Sequence, residues 1–316
     1  MSENIKNNVT TNSQTALHVM KEKDMNEVNK TAKVMKVLGY IAVYAFLGIM
    51  AIIVLFPFYW MLISSVKDIY EYNATVPTLW PQVIHLDNYA KALKAANLEK
   101  VFGNTVYVGI VSTLLSLVIT ILSAFAFARL EFKGRETLFA GLLATMMIPG
   151  ELFTITNYQT TYAFGWNDPH KFGFTILIVP FLVSTFYIYL LRQNFLQIPN
   201  ELYLAAKVDG VSDIKYLWKV MIPLSLPTLI SITILKMMGA WNTYVWPNLV
   251  FRRYPDFLLV TNGIRGGDYS IAGAGDMVNY PVQMAAVAMV SLPLFLVFLF
   301  FRKYIMKGVS RSGIKG

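Results

Sequence analysis

The stretch IPNELYLAAKVDGVSDIKYLWKVMIPLSLP, Ile198 to Pro227, is a polar interval between two long apolar runs. It reads as two short helices. Asn200 is placed to cap the first, Glu201 suits the positive end of its macrodipole, and Gly210 supplies the left-handed residue that ends it. Ser212 is placed to cap the second, which is expected to stop before Pro223 because proline lacks a donor and clashes with the preceding turn. Leu202, Ala205, Ala206 and Asp209 share one face at helical spacing, so a pair of alanines without bulk is presented to whatever docks there. A small apolar face on a helical hairpin at a membrane surface reads as a socket for a second protein.

The rest of the chain supplies the membrane. Hydrophobic residues make up 56% of it and charged residues 14%, with a mean hydropathy of +0.50, which exceeds what a soluble core requires. A run of about 20 apolar residues crosses the hydrocarbon layer. Six are expected: about Val37 to Ser64, Val101 to Ala128, a third from Thr137 through MMIPGE, Phe172 to Leu191, Pro227 to Val250, and Val282 to Phe301. The proline and glycine of MMIPGE, Met146 to Glu151, break the third, as Pro180 interrupts the fourth; such breaks need neighbouring helices or a cavity to satisfy the freed backbone groups. Residues 1–35 are rich in Asn, Lys, Thr and Glu and are expected to be a disordered tail, leaving 36–316 as the transmembrane domain. A short helix is expected around Asn88 to Ala96.

The net charge of +9 does not call for nucleic acid, because the basic residues lie between and beyond the apolar runs, where topology accounts for them. With the N-terminus inside, the cytoplasmic segments hold 18 Lys and Arg and the outer loops 8. The asymmetry predicts an all-α integral membrane protein with both termini and the Ile198 to Pro227 hairpin in the cytoplasm, the hairpin falling between spans four and five.

This hairpin resembles the cytoplasmic EAA loop of the membrane permease subunits of ATP-binding cassette importers, E-x-x-E-A-A-x-x-D-G followed by a hydrophobic step to proline. Glu201, Ala205, Ala206, Asp209, Gly210 and Ile222-Pro223 match; Leu204 stands where the family usually has a second glutamate that helps hold the ATPase subunit. Glu201, one turn earlier, is the candidate replacement. ARLEFKGR, MMIPGE, LLRQNFLQIPNE, WNTYVWP and the terminal KGVSRSGIKG resemble strings in the same order in the carbohydrate branch of these permeases, nearest to the maltose-type second subunit. The likeness covers about Lys36 to Gly316. It implies import of sugars, oligosaccharides or glycosides, with a homologous second permease, two copies of an ATP-binding subunit and an extracytoplasmic solute-binding protein as partners, in the multi-pass plasma membrane of a prokaryote.

The resemblance places ATP and Mg²⁺ on the partner ATPase, and no cofactor is expected on this chain. No Gly-Lys dipeptide occurs, so the phosphate loop G-x-x-x-x-G-K-[ST] is absent. Cysteine is absent, and His18, His85 and His170 lack metal-ligand spacing. GAGD at Gly273 to Asp276 reads as a loop. Catalysis is not expected. Within the spans, Glu151 has two readings, a carboxylate capping a broken helix or a group lining the solute route. Lys236 either snorkels or pairs with a partner subunit, or touches solute. Trp241, Asn242, Tyr244 and Trp246 suit a sugar, rings facing C–H groups and an amide facing hydroxyls, or else form an interfacial aromatic belt. Arg302, Lys303, Lys307, Arg311 and Lys315 form a basic end that anchors on the positive side or reaches the ATPase. The rival function is an ion-coupled secondary transporter, which calls for paired intramembrane carboxylates or inverted repeats.

Overall fold

The structure, a computed structural model, describes residues 35–271 and 277–310, with side chains described through Lys303. The tail before Met35, the GAGD string, and the basic side chains of Lys307, Arg311 and Lys315 lie outside the described part. Among the described residues the chain is helical, with one isolated antiparallel bridge between Ser270 and Val278. The principal helices are α1 (Met35–Ser65), α2 (Asp87–Ala95), α3 (Leu98–Arg129), α4 (Arg135–Thr145), α5 (Thr154–Ala163), α6 (Thr175–Ile178), α7 (Thr185–Leu196), α8 (Asn200–Val208), α9 (Asp213–Tyr216), α10 (Leu226–Asn242), α11 (Val245–Phe251), α12 (Val260–Gly266) and α13 (Tyr280–Ser310). The chain divides into two units between Trp60 and Met61. Of the first, the described part is α1 up to Trp60, whose ring stacks on that of Phe56 at 6.2 Å.

Three helices, α1, α3 and α13, are long and apolar enough to cross a membrane, and up to six crossings result if each of three bent pairs counts as one. The bends have local causes. Arg135–Thr145 and Gly150–Ala163 meet at 84°, where Pro149 takes extended backbone before a 3₁₀ turn. Thr175–Phe181 and Thr185–Leu196 meet at 47°, with Pro180 in the 3₁₀ turn Val179–Phe181 and the Ser184 hydroxyl capping the restart at Tyr187.

Two expected boundaries are corrected. The fifth run is not one helix to Val250: it stops at Asn242, passes through extended Thr243, and restarts at Val245. Pro247 lies three residues into α11, in the first turn, where a proline costs no helical donor, and the restart just ahead of it accommodates the residue. Nor does the second hairpin helix end before Pro223. After α9 the backbone widens into a π-helical segment, Leu217–Met221, and continues through Pro223 in the single turn Ile222–Leu224. Pro223 thereby occupies the first turn of the following helix, where its missing N–H is not needed. The sharp turn falls instead at Ser225, with 80° between Asp213–Leu224 and α10.

Helix α3 is the axis on which the second unit is built. Thr105, Ser112, Ser116, Thr120, Ala124 and Ala128 are all buried along it, and these small side chains let α7 and α10 lie close against the helix. Gly109 also allows a close approach: a Cβ there would meet the Met237 sulfur at 3.1 Å. Buried apolar side chains gather at both ends. One cluster joins Phe125 and Ala128 to Leu191, Phe195, Tyr216, Leu217 and Met221. Another joins Leu98 and Val101 to Trp241, Tyr269 and Ala285.

At its C-terminal end α3 is locked to α7 by two buried arginines. Arg129 Nη2 donates to the Phe195 carbonyl at 2.9 Å and to that of Ile198, adding a donor just where α7 ends and its carbonyls run short of helical partners. In return Arg192 Nε donates to the Phe127 carbonyl at 3.1 Å. Its Nη2 lies 3.0 Å from both Glu136 oxygens, and its guanidinium sits 4.0 Å from the Phe139 ring centroid. Each helix thus supplies the donor for the other. Arg129→Ala removes the side-chain donor from the Phe195 and Ile198 carbonyls, at a cost of about 1–3 kcal/mol. The apparent melting temperature of the purified chain in detergent is expected to fall, and Arg129→Lys, lacking the planar fork, is expected not to restore it; an unchanged melting temperature for Arg129→Ala would refute the brace.

Candidate functional site

The hairpin begins where this brace ends. Ile198 is buried in the cluster beneath it, and Pro199, not Asn200, occupies the cap position of α8. Asn200 is the first helical residue, and its side-chain oxygen accepts from Arg129 Nη1 at 3.5 Å rather than capping its own helix. The arginine competes successfully because it already lies against the Ile198 carbonyl.

The far end of α8 closes as the sequence predicts. Gly210 has φ +70°, the Gly210 N–H donates to Lys207 O at 3.1 Å, and the Val211 N–H reaches back to Ala206 O at 2.8 Å. This is the paired-bond closure that a left-handed glycine permits. Ser212 Oγ accepts from the Lys215 N–H at 3.4 Å and starts α9.

Asp213 then ties the two helices together. It accepts from the Tyr203 hydroxyl at 2.7 Å and pairs with Lys207 Nζ at 2.7 Å, while Lys207 also lies over the Tyr203 ring. The hydrogen bond from Lys207, then that from Tyr203, hold the Asp213 carboxyl below its usual range, and Asp213 in turn raises Lys207. Because the carboxyl is depressed in the folded state, the tie is fully present above the ordinary carboxylate range and is lost only as pH falls below that range, through the lowered folded-state value. Tyr203 and Tyr216 pack ring to ring at 5.2 Å over the cluster below.

The face that remains outward differs in one respect from the expected one. Ala206 is turned partly inward, against the cluster with Tyr203 and Val211. Glu201, Ala205, Asp209 and Gly210 are exposed, and so are the large apolar side chains of Leu202, Leu204 and Val208, the last at 88%. Ile214 and Trp218 extend the exposed apolar surface onto the second helix. At Leu204, therefore, the hairpin offers an apolar contact in place of a charge.

The solute-route candidates do not form one site. Trp241 is buried, edge-on to Phe102 at 5.0 Å, with its carbonyl bonded by Thr261. Asn242 is exposed and donates to Met238 O in its own helix. Tyr244 carries the Arg265 guanidinium 4.4 Å from its ring centroid. Trp246 is buried with its indole N–H on the Ile176 carbonyl. Glu151 is exposed at the broken third run. Only Trp246 lines the cavity of about 380 Å³ bounded by Phe181, Tyr187, Thr243 and Lys236, where Lys236 Nζ donates to the Phe181 carbonyl at 2.6 Å. That bond takes a carbonyl left open where the 3₁₀ turn Val179–Phe181 ends, while the carbonyl four residues before Pro180, that of Ile176, takes the Trp246 indole N–H. Among the described residues no group of three or more His, Asp or Glu side chains is arranged to hold a metal ion.

Sequence reading assigned no part to Arg129, Arg192, Tyr203 or Asp213. Their signal is faint: single polar residues at the borders of apolar runs, whose partners are backbone carbonyls or side chains brought near by the fold.

The family described as "Binding-protein-dependent transport system inner membrane component" matches this chain over residues 105–311. The arabinooligosaccharides transport system permease protein AraQ of Bacillus subtilis is 29% identical over 279 residues, covering 87% of this chain and 96% of its own. Its counterpart in Halalkalibacterium halodurans is 30% identical over 276 residues, covering 86% and 94%. A solved structure of a bacterial ABC transporter involved in the import of the acidic polysaccharide alginate is similar with a TM-score of 0.74 at 25% identity, covering 84% of this chain and 95% of that one. The matched region takes in the axis, the brace, the capped hairpin and the broken helices, and the chain belongs to this family of transport-system membrane components.

Proposed function

We propose that this chain is a permease subunit of an ATP-driven importer of oligosaccharides or related glycosides, and that its hairpin receives the ATPase. The observation that carries the reading is the hairpin itself: two short capped helices, tied through Asp213 and rooted on the Arg129 brace, presenting an exposed apolar face. Exposed apolar surface of this kind marks a protein contact. Relatives that transport arabinooligosaccharides and alginate support a saccharide as the solute.

In this reading six spans run with both termini inside, each bent pair counting as one, as the surplus of Lys and Arg on the hairpin side favours. Residues 36–316 act as the transmembrane domain in the plasma membrane of a prokaryote. A homologous permease completes the pathway, an external binding protein delivers solute, and a pair of ATP-binding subunits holds ATP and Mg²⁺. Closure of the ATPase pair pushes on α8 and α9. The force reaches α3 and α7 through the arginines, and α10 through the bend at Ser225. Glu151, Asn242, Trp241, Tyr244 and Trp246 stay candidates for the solute route, Trp246 through the cavity beside Lys236.

The deciding experiment reconstitutes the whole assembly in proteoliposomes and follows a labelled oligosaccharide. Uptake is expected to need ATP on the ATPase side and to persist with an uncoupler. Uptake that collapses with the uncoupler and survives ATP depletion would establish the ion-coupled transporter instead.

Two substitutions test the parts. Gly210→Val places a β-branched residue at φ +70°, strained by about 1–2 kcal/mol; insertion is expected to be normal while ATP-driven uptake is abolished, and unimpaired uptake would contradict the coupling role. Asn242→Ala is expected to slow uptake without lowering assembly, and a normal rate would remove Asn242 from the pathway.

A further inference from the structure

The end of α3 away from the hairpin carries a second polar site. There Asn104 Nδ2 donates to the carbonyls of Asp256 and Leu258, and Lys100 pairs with Asp256 at 3.0 Å. These contacts fix the segment that follows α11. Beside it, a groove of about 690 Å³ lies between α5 and residues 249–254, lined by Tyr158, Tyr162, Asn167, Arg252, Arg253 and Tyr254. Its size falls within the roughly 300–1,000 Å³ of small-ligand sites.

The lining has an unusual balance of charge. Arg252 and Arg253 are both exposed, and among the described residues no carboxylate lies within ion-pair distance of either. The acids nearest in sequence are committed elsewhere: Asp256 to Lys100, and Asp168 to the His170 N–H as a helix cap. The tyrosines are placed by packing. Tyr254 meets His170 edge-on at 5.7 Å, and Tyr158 and Tyr162 lie one helical turn apart with centroids at 6.2 Å.

We infer that this groove binds an acidic oligosaccharide, a chain of uronic acid units. Three aromatic rings offer faces to pyranose C–H groups. Asn167 offers both a donor and an acceptor to ring hydroxyls. The two guanidinium groups offer planar forks that match a carboxylate and that a neutral sugar does not need. The cavity beside Lys236 is a poorer site for such a ligand, because its walls are largely apolar and its ammonium is already on the Phe181 carbonyl. The inference rests on the saccharide-import reading above and adds the class of sugar and a first place of contact.

The test uses the full chain in phosphatidylcholine nanodiscs with two probes of the same backbone, trigalacturonate and its methyl ester. Trigalacturonate is expected to bind saturably and at least tenfold more tightly than the ester. Arg252→Gln with Arg253→Gln is expected to weaken it at least tenfold, Arg252→Lys with Arg253→Lys to retain part of the affinity, and Tyr162→Ala to weaken both probes. The arginines are exposed, so an unchanged melting temperature of the double variant checks that folding is intact. Equal binding of acid and ester, no saturable binding of either, or a glutamine double variant that binds like the parent would overturn the inference. So would a double variant that loses only its association with the binding protein, since the arginines would then serve a protein contact. Uptake by the reconstituted assembly separates the two levels: transport of a neutral oligosaccharide with no acid binding here removes this groove and leaves sugar import standing, whereas no uptake of any oligosaccharide removes the import reading.

Discussion

Everything at the hairpin end depends on two guanidinium groups exchanged between α3 and α7. A buried arginine needs acceptors for its donors, and here the terminal nitrogens of Arg129 and the Nε of Arg192 find them in main-chain carbonyls at or just beyond helix ends. Because Arg129 also reaches Asn200, the same group that ends the membrane helix starts the hairpin. The hairpin therefore has a fixed root, and Asp213, bridging Tyr203 and Lys207, fixes the angle between its two arms. A contact made on Leu204 or Ala205 would press on a tied unit, not on a loop.

The bends in the spans follow from the same rule, that a backbone group out of water must find a partner. A proline removes one donor and disturbs one carbonyl, and near Pro180 and Pro223 local groups answer. The Ser184 hydroxyl restarts α7, Lys236 takes the Phe181 carbonyl, and the π-helical segment Leu217–Met221 carries the chain through Pro223. Concentrating the breaks in the third, fourth and fifth runs leaves α3 and α13 as unbroken rods on either side of α10. Rigid rods flanking jointed ones is an arrangement in which motion at one end can be relayed without refolding the bundle.

Much of this was legible in the residues. Apolar runs located the long helices, Pro149-Gly150 located a break, and Gly210 and Ser212 set the turn between α8 and α9, because each is a local property of the chain. The family resemblance, carried by strings spread from Ala128 to the C-terminus, is matched by the family found over residues 105–311. What could not be read locally was pairing. Asn200 looked like a cap because nothing in IPNEL shows that Arg129, 71 residues earlier, lies in the way. Ala206 looked outward because helical spacing gives a face but not which neighbour covers it. Trp241 and Trp246 are close in sequence, yet the restart ahead of Pro247 sends them into different clusters, so a string that resembled one aromatic site divides into two.

The substitution of leucine for a family glutamate at position 204 is consistent with the surface around it. A lone carboxylate beside Leu202 and Val208 would have to be desolvated when a partner covered the face, and that cost is recovered only by a well-placed cation on the partner. Leu204 avoids the cost and adds to the exposed apolar side chains of the hairpin, Leu202, Val208, Ile214 and Trp218. Specificity then falls to shape and to the charges that border the patch, Glu201 and Asp209. On this argument the docking energy under the proposed function comes from burial of apolar area and is less sensitive to salt than a charged contact would be.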